Sequence, residues 1–167
     1  MAFDPLRFRV LVRTLCADRH GERGLGPDDA RAIVAIATLA SDVDLDDARD
    51  EASLLAPLAE ELCARAHVSP AALESVSPLP LDKTERVTRI RELAARLSDA
   101  RSRELAYVVA YLVAVADFEL APVESAFLDE LRRALELTDD RAAELAGTAA
   151  QFLTPGTTPT MDLRTES

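Results

Sequence analysis

Six carboxylates and one arginine crowd the stretch SDVDLDDARDEAS, Ser41 to Ser53. Hard divalent cations take oxygen ligands, so the first chemistry to weigh here is cation binding. As a calcium loop of the EF-hand kind, the stretch begins well. Asp42, Asp44 and Asp46 fall on positions 1, 3 and 5, and Asp50 on position 9. It then departs from the pattern. Asp47 stands where the sharp turn needs Gly, Arg49 where an apolar residue belongs, and Ser53 where a bidentate Glu should close the loop. A looser divalent site remains, shared between Asp42 and Asp44 and a second acidic stretch that holds Asp117, Glu119 and Glu124. Acids at helix starts are also favoured by the helix dipole and by solvent with no ligand at all.

A second constellation uses softer ligands. The two Cys and two His of the chain occur as CADRH and CARAH: Cys16 precedes His20 by four residues, and Cys63 precedes His67 by four. On a helix that spacing puts both side chains on one face, and two such pairs could form a tetrahedral Cys2His2 zinc site. Each Cys also borders an apolar stripe and suits a small buried position, and each His sits near a helix C-terminus, where a cation is favoured.

Signatures of catalysis do not emerge. There is no nucleophile elbow, P-loop or dinucleotide fingerprint, and five Gly spread along the chain do not build a phosphate cradle. Nothing singles out one carboxylate with a raised pKa, so a hydrolase reading has no anchor. Arg86, Arg89, Arg96 and Arg103 suit solvated ion pairing along a helix. The chain is therefore expected not to be an enzyme.

The elements that must position these residues are helices. Apolar residues make up 49% of 167 residues, enough for a real core, while aromatics are 4% and Trp is absent. An Ala- and Leu-rich chain with few β-branched residues favours helix. Net charge is −11, and it is distributed unevenly. Segment 27–77 carries three Arg against eleven acids and segment 106–167 four against eleven, whereas 1–26 and 78–105 are mildly basic. That pattern argues against nucleic acid and favours cations or basic partners. Sparse cysteine, and Arg7, Arg9 and Arg13 where a signal peptide would be apolar, imply a cytoplasmic protein. The longest apolar run, Leu105 to Ala116, is too short to span a bilayer and reads as a buried core helix.

Eight helices are expected. Phe8, Leu11, Val12 and Leu15 form the first stripe, and Pro27 opens the second helix in a first-turn position. The third starts near Asp46 and presents Leu54, Leu55, Leu58 and Leu62; Ser69-Pro70 begins a short fourth. Asp82 and Glu85 are spaced as a capping box for a fifth, with Val87, Ile90, Leu93, Ala94 and Leu97 on one face. After the core helix, Pro122 opens a helix carrying Phe127, Leu128, Leu131 and Leu135, and Thr138 caps a last one reaching Phe152. No strand or hairpin signal appears. The fold class is all-α: a single-domain bundle over 1–153 with a flexible tail at 154–167.

The opening stretch has a counterpart. AIVAIATLASDVDLDDARDEASLLAPLAEEL and AYVVAYLVAVADFELAPVESAFLDELRRAL each run from an apolar helix through an acidic elbow into an amphipathic helix. Ile33, Val34 and Ile36 match Val108, Val109 and Tyr111; Asp42, Asp44 and Leu45 match Asp117, Glu119 and Leu120. The first copy is then two residues longer, and Glu51, Leu54, Leu55 and Leu58 fall on Glu124, Phe127, Leu128 and Leu131. Two pseudo-repeated helix-loop-helix units, about 28–67 and 104–137, are expected to pack around the two apolar helices.

The stretch VAVADFELAPVESAFLDELRRALELTDDRAAEL resembles the signature of the TerB-like domains, helical modules associated with tellurite resistance and stress response. Ala116-Asp117, Glu119-Leu120, Pro122, Glu124, Leu128, Leu131, Leu137 and Thr138 carry the likeness. It is strongest over 106–145 and echoes over 30–75. Phe118 stands where Gly is usual after the Asp, and Ala121 replaces the Ser or Thr usual before Pro122, removing a helix cap. The resemblance implies a compact all-α fold and a metal-binding or sensing role through the acidic positions, with no established catalysis. The alternatives are a structural interaction module, with a protein partner or a second copy of the chain meeting acidic faces with basic helices, and a zinc-stabilised helical protein.

Overall fold

The computed structural model describes residues 10, 25–43, 48–69, 82–97, 99–115 and 120–153, with the backbone alone at 48–54, 65, 152 and 153. Six helices lie among them: α1 (Pro27–Ser41), α2 (Ala48–Ala66), α3 (Lys83–Ala95), α4 (Ala100–Ala114), α5 (Pro122–Ala134) and α6 (Asp139–Leu153). No strand occurs among the described residues, so the all-α expectation holds at that level. The other two expected helices, at the Phe8–Leu15 stripe and from Pro70 onward, fall almost wholly outside the described residues, as does the 154–167 tail. No helix of the described residues is long and apolar enough to cross a membrane.

Local signals account for the helix starts. Pro27 occupies the first turn of α1, where its missing N–H costs nothing. Asp82 caps α3 as a full capping box: the Glu85 N–H donates to Asp82 Oδ1 at 2.8 Å, and the Asp82 N–H donates to Glu85 Oε2 at 2.9 Å. Asp99 caps α4 by accepting from the Ser102 N–H at 2.7 Å. That cap starts α4 five residues before Leu105, so its first turn is polar. Thr138 Oγ1 accepts from the Arg141 N–H at 3.2 Å at the head of α6.

Two helices end alike. At α2 the Val68 N–H reaches back to the Cys63 carbonyl at 3.0 Å, with His67 between them at φ 54°. At α5 the Leu137 N–H reaches the Arg132 carbonyl at 3.1 Å, with Glu136 at φ 58°. Both are Schellman closures built on a non-glycine residue in the left-handed region. Val68 and Leu137, the residues that follow, pack partly buried against the core in each case. That contact offsets the steric cost of the left-handed turn.

All six helices contribute to one cluster of buried apolar side chains. Its centre is the α1–α4 interface, the most extensive between any two helices here. Ala30, Ile33, Ile36 and Ala37 of α1 and Ala106, Val108, Val109 and Ala110 of α4 are sealed from solvent. Small side chains dominate both helices, which lets their backbones approach closely. α2 packs on α1, α5 and α6 pack on α4, and α3 bridges α1 and α5. On the amphipathic helices, Leu58 and Leu62, Ile90 and Leu93, and Phe127, Leu128 and Leu131 point inward at the expected spacing. α2 runs through Pro57 without ending, although that residue donates no backbone hydrogen bond.

Candidate functional site

Of the five carboxylates expected to share a cation, Asp42 and Glu124 lie within the described residues; Asp44, Asp117 and Glu119 lie outside them. Asp42 is the C-cap of α1, its N–H donating to the Thr38 carbonyl at 3.1 Å. Its carboxylate sits at the negative end of the α1 dipole, a poor place for an anion. Partial desolvation raises its pKa above the ordinary carboxylate value, and the Arg86 guanidinium from α3 pulls it part of the way back. The side chain remains exposed, so a ligand could reach it.

Glu124 is placed differently. It lies in the first turn of α5 and is only 2% exposed. Ala121 has no side-chain oxygen with which to cap α5, as its sequence position implies, and half of a capping box survives from the other side. The Ala121 N–H donates to Glu124 Oε2 at 2.7 Å. Glu124 therefore holds the entry to α5 as well as carrying charge near the elbow. Two apolar side chains flank it on the outside: Leu120 is 44% exposed and Val123 51%. Among the described residues, no group of three or more His, Cys, Asp or Glu side chains is arranged to hold a metal ion.

The Cys-His spacing on α2 meets the end of the helix. Cys63 is buried, its thiol pushed upward by desolvation, whereas His67 lies one residue past Ala66, exposed, in the left-handed turn. The four-residue spacing therefore spans the helix end, with Cys63 inside α2 and His67 in the Schellman turn that closes it. Cys16 and His20 fall outside the described residues.

A buried polar set that the sequence reading did not single out occupies the N-terminal end of α4. Ser102 Oγ donates to Asp29 Oδ2 at 3.2 Å, joining the first turns of α4 and α1, and both residues are buried. Glu104, with its side chain 5% exposed, accepts two hydrogen bonds from Arg141 of α6. Arg141 also donates to Glu144 Oε2 at 2.7 Å, and hydrogen bonds to these two carboxylates raise its pKa further. Nearby, Arg103 Nη1 meets Glu136 Oε2 at 2.9 Å, and Arg132 Nη1 donates to the Leu137 carbonyl at 3.0 Å. Arg132 Nε approaches Asp139 Oδ1 at 3.1 Å. The α5–α6 turn is thus held on several sides by arginine. Arg89 and Arg103, expected to form ion pairs, do so with Glu92 and Glu136.

The stripes carried a signal for this set. Asp29 lies four residues before Ile33 and Glu104 four before Val108, the two positions that the internal alignment superposes. Arg141 lies four before Leu145 and eight before Ala149. A charge in register with an apolar stripe is a charge that must be buried and therefore paired.

No family model, curated protein or solved structure matches the chain.

Proposed function

We propose that this chain is a non-catalytic helical binding domain of the TerB-like kind, taking a divalent cation between its two acidic elbows. The observation that carries the reading is the Ser102–Asp29 bond. It ties the first turns of α1 and α4 together, and these two helices form the most extensive helix–helix interface among the described residues. Helices joined at their N-termini and packed side by side run in the same direction. Their C-termini, at Ser41 and Ala114, then lie at one end of the bundle, and each is the last helical residue before an acidic stretch. Asp42 supports this with an exposed carboxylate whose charge is poorly satisfied at a helix C-terminus. A cation would relieve that charge, and oxygen ligands from Asp42, Asp44, Asp117, Glu119 and Glu124 suit a hard one.

Thermal melting in calcium, magnesium or manganese tests the reading. A saturating cation that binds only the folded chain raises Tm, by about 2.7 kcal/mol of stabilisation at a concentration 100 times Kd. Asp42→Asn and Asp117→Asn should abolish the shift. An unchanged Tm with all three ions, using protein stripped of metal, would rule the cation out.

The second reading is a protein-interaction module, favoured by Leu120 and Val123. These exposed apolar side chains stand three residues apart beside the second elbow. A protein partner would cover them, and Leu120→Asp would then weaken its binding with no change in fold.

A further inference from the structure

We propose that the outward face of α3 is a docking strip for a short carboxylate-rich segment of another protein. The inference rests on neither the cation site nor the Leu120–Val123 patch.

Cations are the scarce charge in this chain, 19 Lys and Arg against 30 Asp and Glu. Most of them should therefore find a carboxylate, and outside α3 the described ones have partners. Arg31, Arg103, Arg132, Arg133 and Arg141 are ion-paired, and Arg101 is engaged as well. On α3 itself, Arg89 meets Glu92 at 3.2 Å and Arg86 has Asp42 of α1 beside it. That leaves Lys83, Arg91 and Arg96. Among the described residues they are the cations that take part in no hydrogen bond or ion pair, and all three are exposed. All belong to α3 or its C-cap. The acids of α3 are committed elsewhere: Asp82 and Glu85 bond the backbone in the capping box, and Glu92 holds Arg89. Lys83, the only lysine of the chain, stands in the first turn of α3, where the helix dipole disfavours a cation. Packing does not call for these charges, because α3 is anchored by Ile90, Leu93 and Ala94.

Small side chains line the strip between the three cations. Thr84, Thr88 and Ala95 are exposed, and with Arg91 they recur at intervals of four, three and four residues, on one side of the helix. Thr88 turns its hydroxyl back to donate to the Thr84 carbonyl at 3.1 Å. A partner main chain can therefore come close to α3 while Arg91 reaches up beside it. Lys83 and Arg96 bracket the strip, on the order of 20 Å apart along the helix axis.

Guanidinium groups favour carboxylates, which their planar forks meet at two points. Length and charge select against other occupants. Nucleic acid would run past α3 onto a protein of net charge −11, whereas a short acidic segment ends with the strip. A second copy of the chain would bring the same surplus of negative charge.

Fluorescence anisotropy on the full chain provides the test. The probe is a labelled peptide of about a dozen Glu and Ala residues, with its Gln counterpart as the blank. The Glu peptide should bind, more weakly as salt rises, and the Gln peptide should not. Arg91→Gln/Arg96→Gln should weaken binding about tenfold or more. Removing two charges elsewhere, in Arg31→Gln/Arg133→Gln, should change it less than about twofold, because those arginines already hold Asp28 and Glu130. Both double variants should melt within about 2 °C of the wild type, which separates loss of binding from loss of fold. Equal losses in the two double variants would overturn the strip, and so would a Glu peptide that does not bind the wild-type chain. Tighter binding of a single-stranded oligothymidylate of equal length would overturn the carboxylate preference. A dimer by light scattering that Arg91→Gln/Arg96→Gln abolishes would overturn the partner, assigning the strip to a second copy.

Discussion

Arg141 and Glu104, 37 residues apart in the chain, meet through two parallel hydrogen bonds, Nε to Oε1 at 2.7 Å and Nη2 to Oε2 at 2.9 Å. The guanidinium and the carboxylate both lie in the interior, 13% and 5% exposed. Two parallel charge-assisted hydrogen bonds of this geometry are what it takes to offset the desolvation of two buried charges.

Removing either partner alone should be costly. Arg141→Met leaves the buried Glu104 carboxylate without its counter-charge, at about 3 kcal/mol or more of unfolding free energy, and Glu104→Leu costs less, because Arg141 keeps Glu144 at 2.7 Å. Replacing both together, Glu104→Leu with Arg141→Met, should recover most of that loss, because the apolar pair needs no desolvation. Urea denaturation of the two single variants and the double variant measures the coupling directly. Simple additivity would show that the pair does not interact as described.

The entry to α5 lacks a cap that one oxygen would supply. Ala121 has the extended backbone of an N-cap, φ −67° and ψ 152°, and contributes no side-chain bond. Ala121→Ser should complete the box that Glu124 half forms and stabilise the fold by about 0.5–1 kcal/mol. Asp82→Ala, which dismantles the complete box at α3, should lose about 1 kcal/mol. Opposite signs in chemical denaturation are the expected outcome.

His67 holds a left-handed conformation without being glycine. His67→Gly should raise stability by up to about 1 kcal/mol, since glycine takes that φ without steric penalty. The same change at Glu136 should gain less, because it also removes the Glu136 carboxylate from Arg103. Equal gains at the two positions would show that the Arg103 contact contributes nothing.

Asp42 sets a pH dependence whose sign follows from its raised pKa. The folded chain holds the Asp42 proton more tightly than the unfolded chain, whose value is near 3.8. The stabilising contribution of this group is therefore complete below that value and is lost as pH rises through the higher folded pKa. Asp42→Asn should remove this fall. Comparing Tm against pH for the wild type and Asp42→Asn, between pH 3 and 6, checks it. The opposite slope, with Asp42 adding stability as pH rises, would mean that Arg86 outweighs desolvation.

Cys63 should resist thiol reagents. Its side chain is buried and its pKa is raised, so both access and thiolate fraction are low. Alkylation at Cys63, followed site by site by mass spectrometry, should be slow in the folded chain and accelerate sharply in denaturant. Rapid labelling under native conditions would place Cys63 in a more open setting.

Helix positions were legible from the residues because the signals for them are local. Pro27, the Asp82–Glu85 box and Thr138 act within one turn, and the stripes of α3 and α5 need only helical periodicity to declare which side is buried. The early start of α4 was less clear, because its first turn is polar and looks like the preceding loop until Asp99 is seen to cap it. Of the acidic elbows, the sequence supplied the charge and the spacing. Burial of Glu124, and its work as a cap, came only with the fold.

Charged and polar partners separated by long stretches of chain were decided by tertiary structure. Ser102 finds Asp29 across 73 residues: the apolar stripe marks Asp29 as a charge to be buried, but nothing local names its partner. The same holds for Glu104, one of five acids in its segment until α6 lies over it. His67 shows the limit of spacing: four residues separate it from Cys63, but α2 ends between them at Ala66, and His67 takes the left-handed turn before Val68 packs on the core. Periodicity is a property of one helix, while pairing, burial and the direction of a side chain past a helix end depend on what packs against it. Sequence alone therefore determined where the six described helices lie and which faces turn inward; their assembly chose which charges would be taken out of water and with whom.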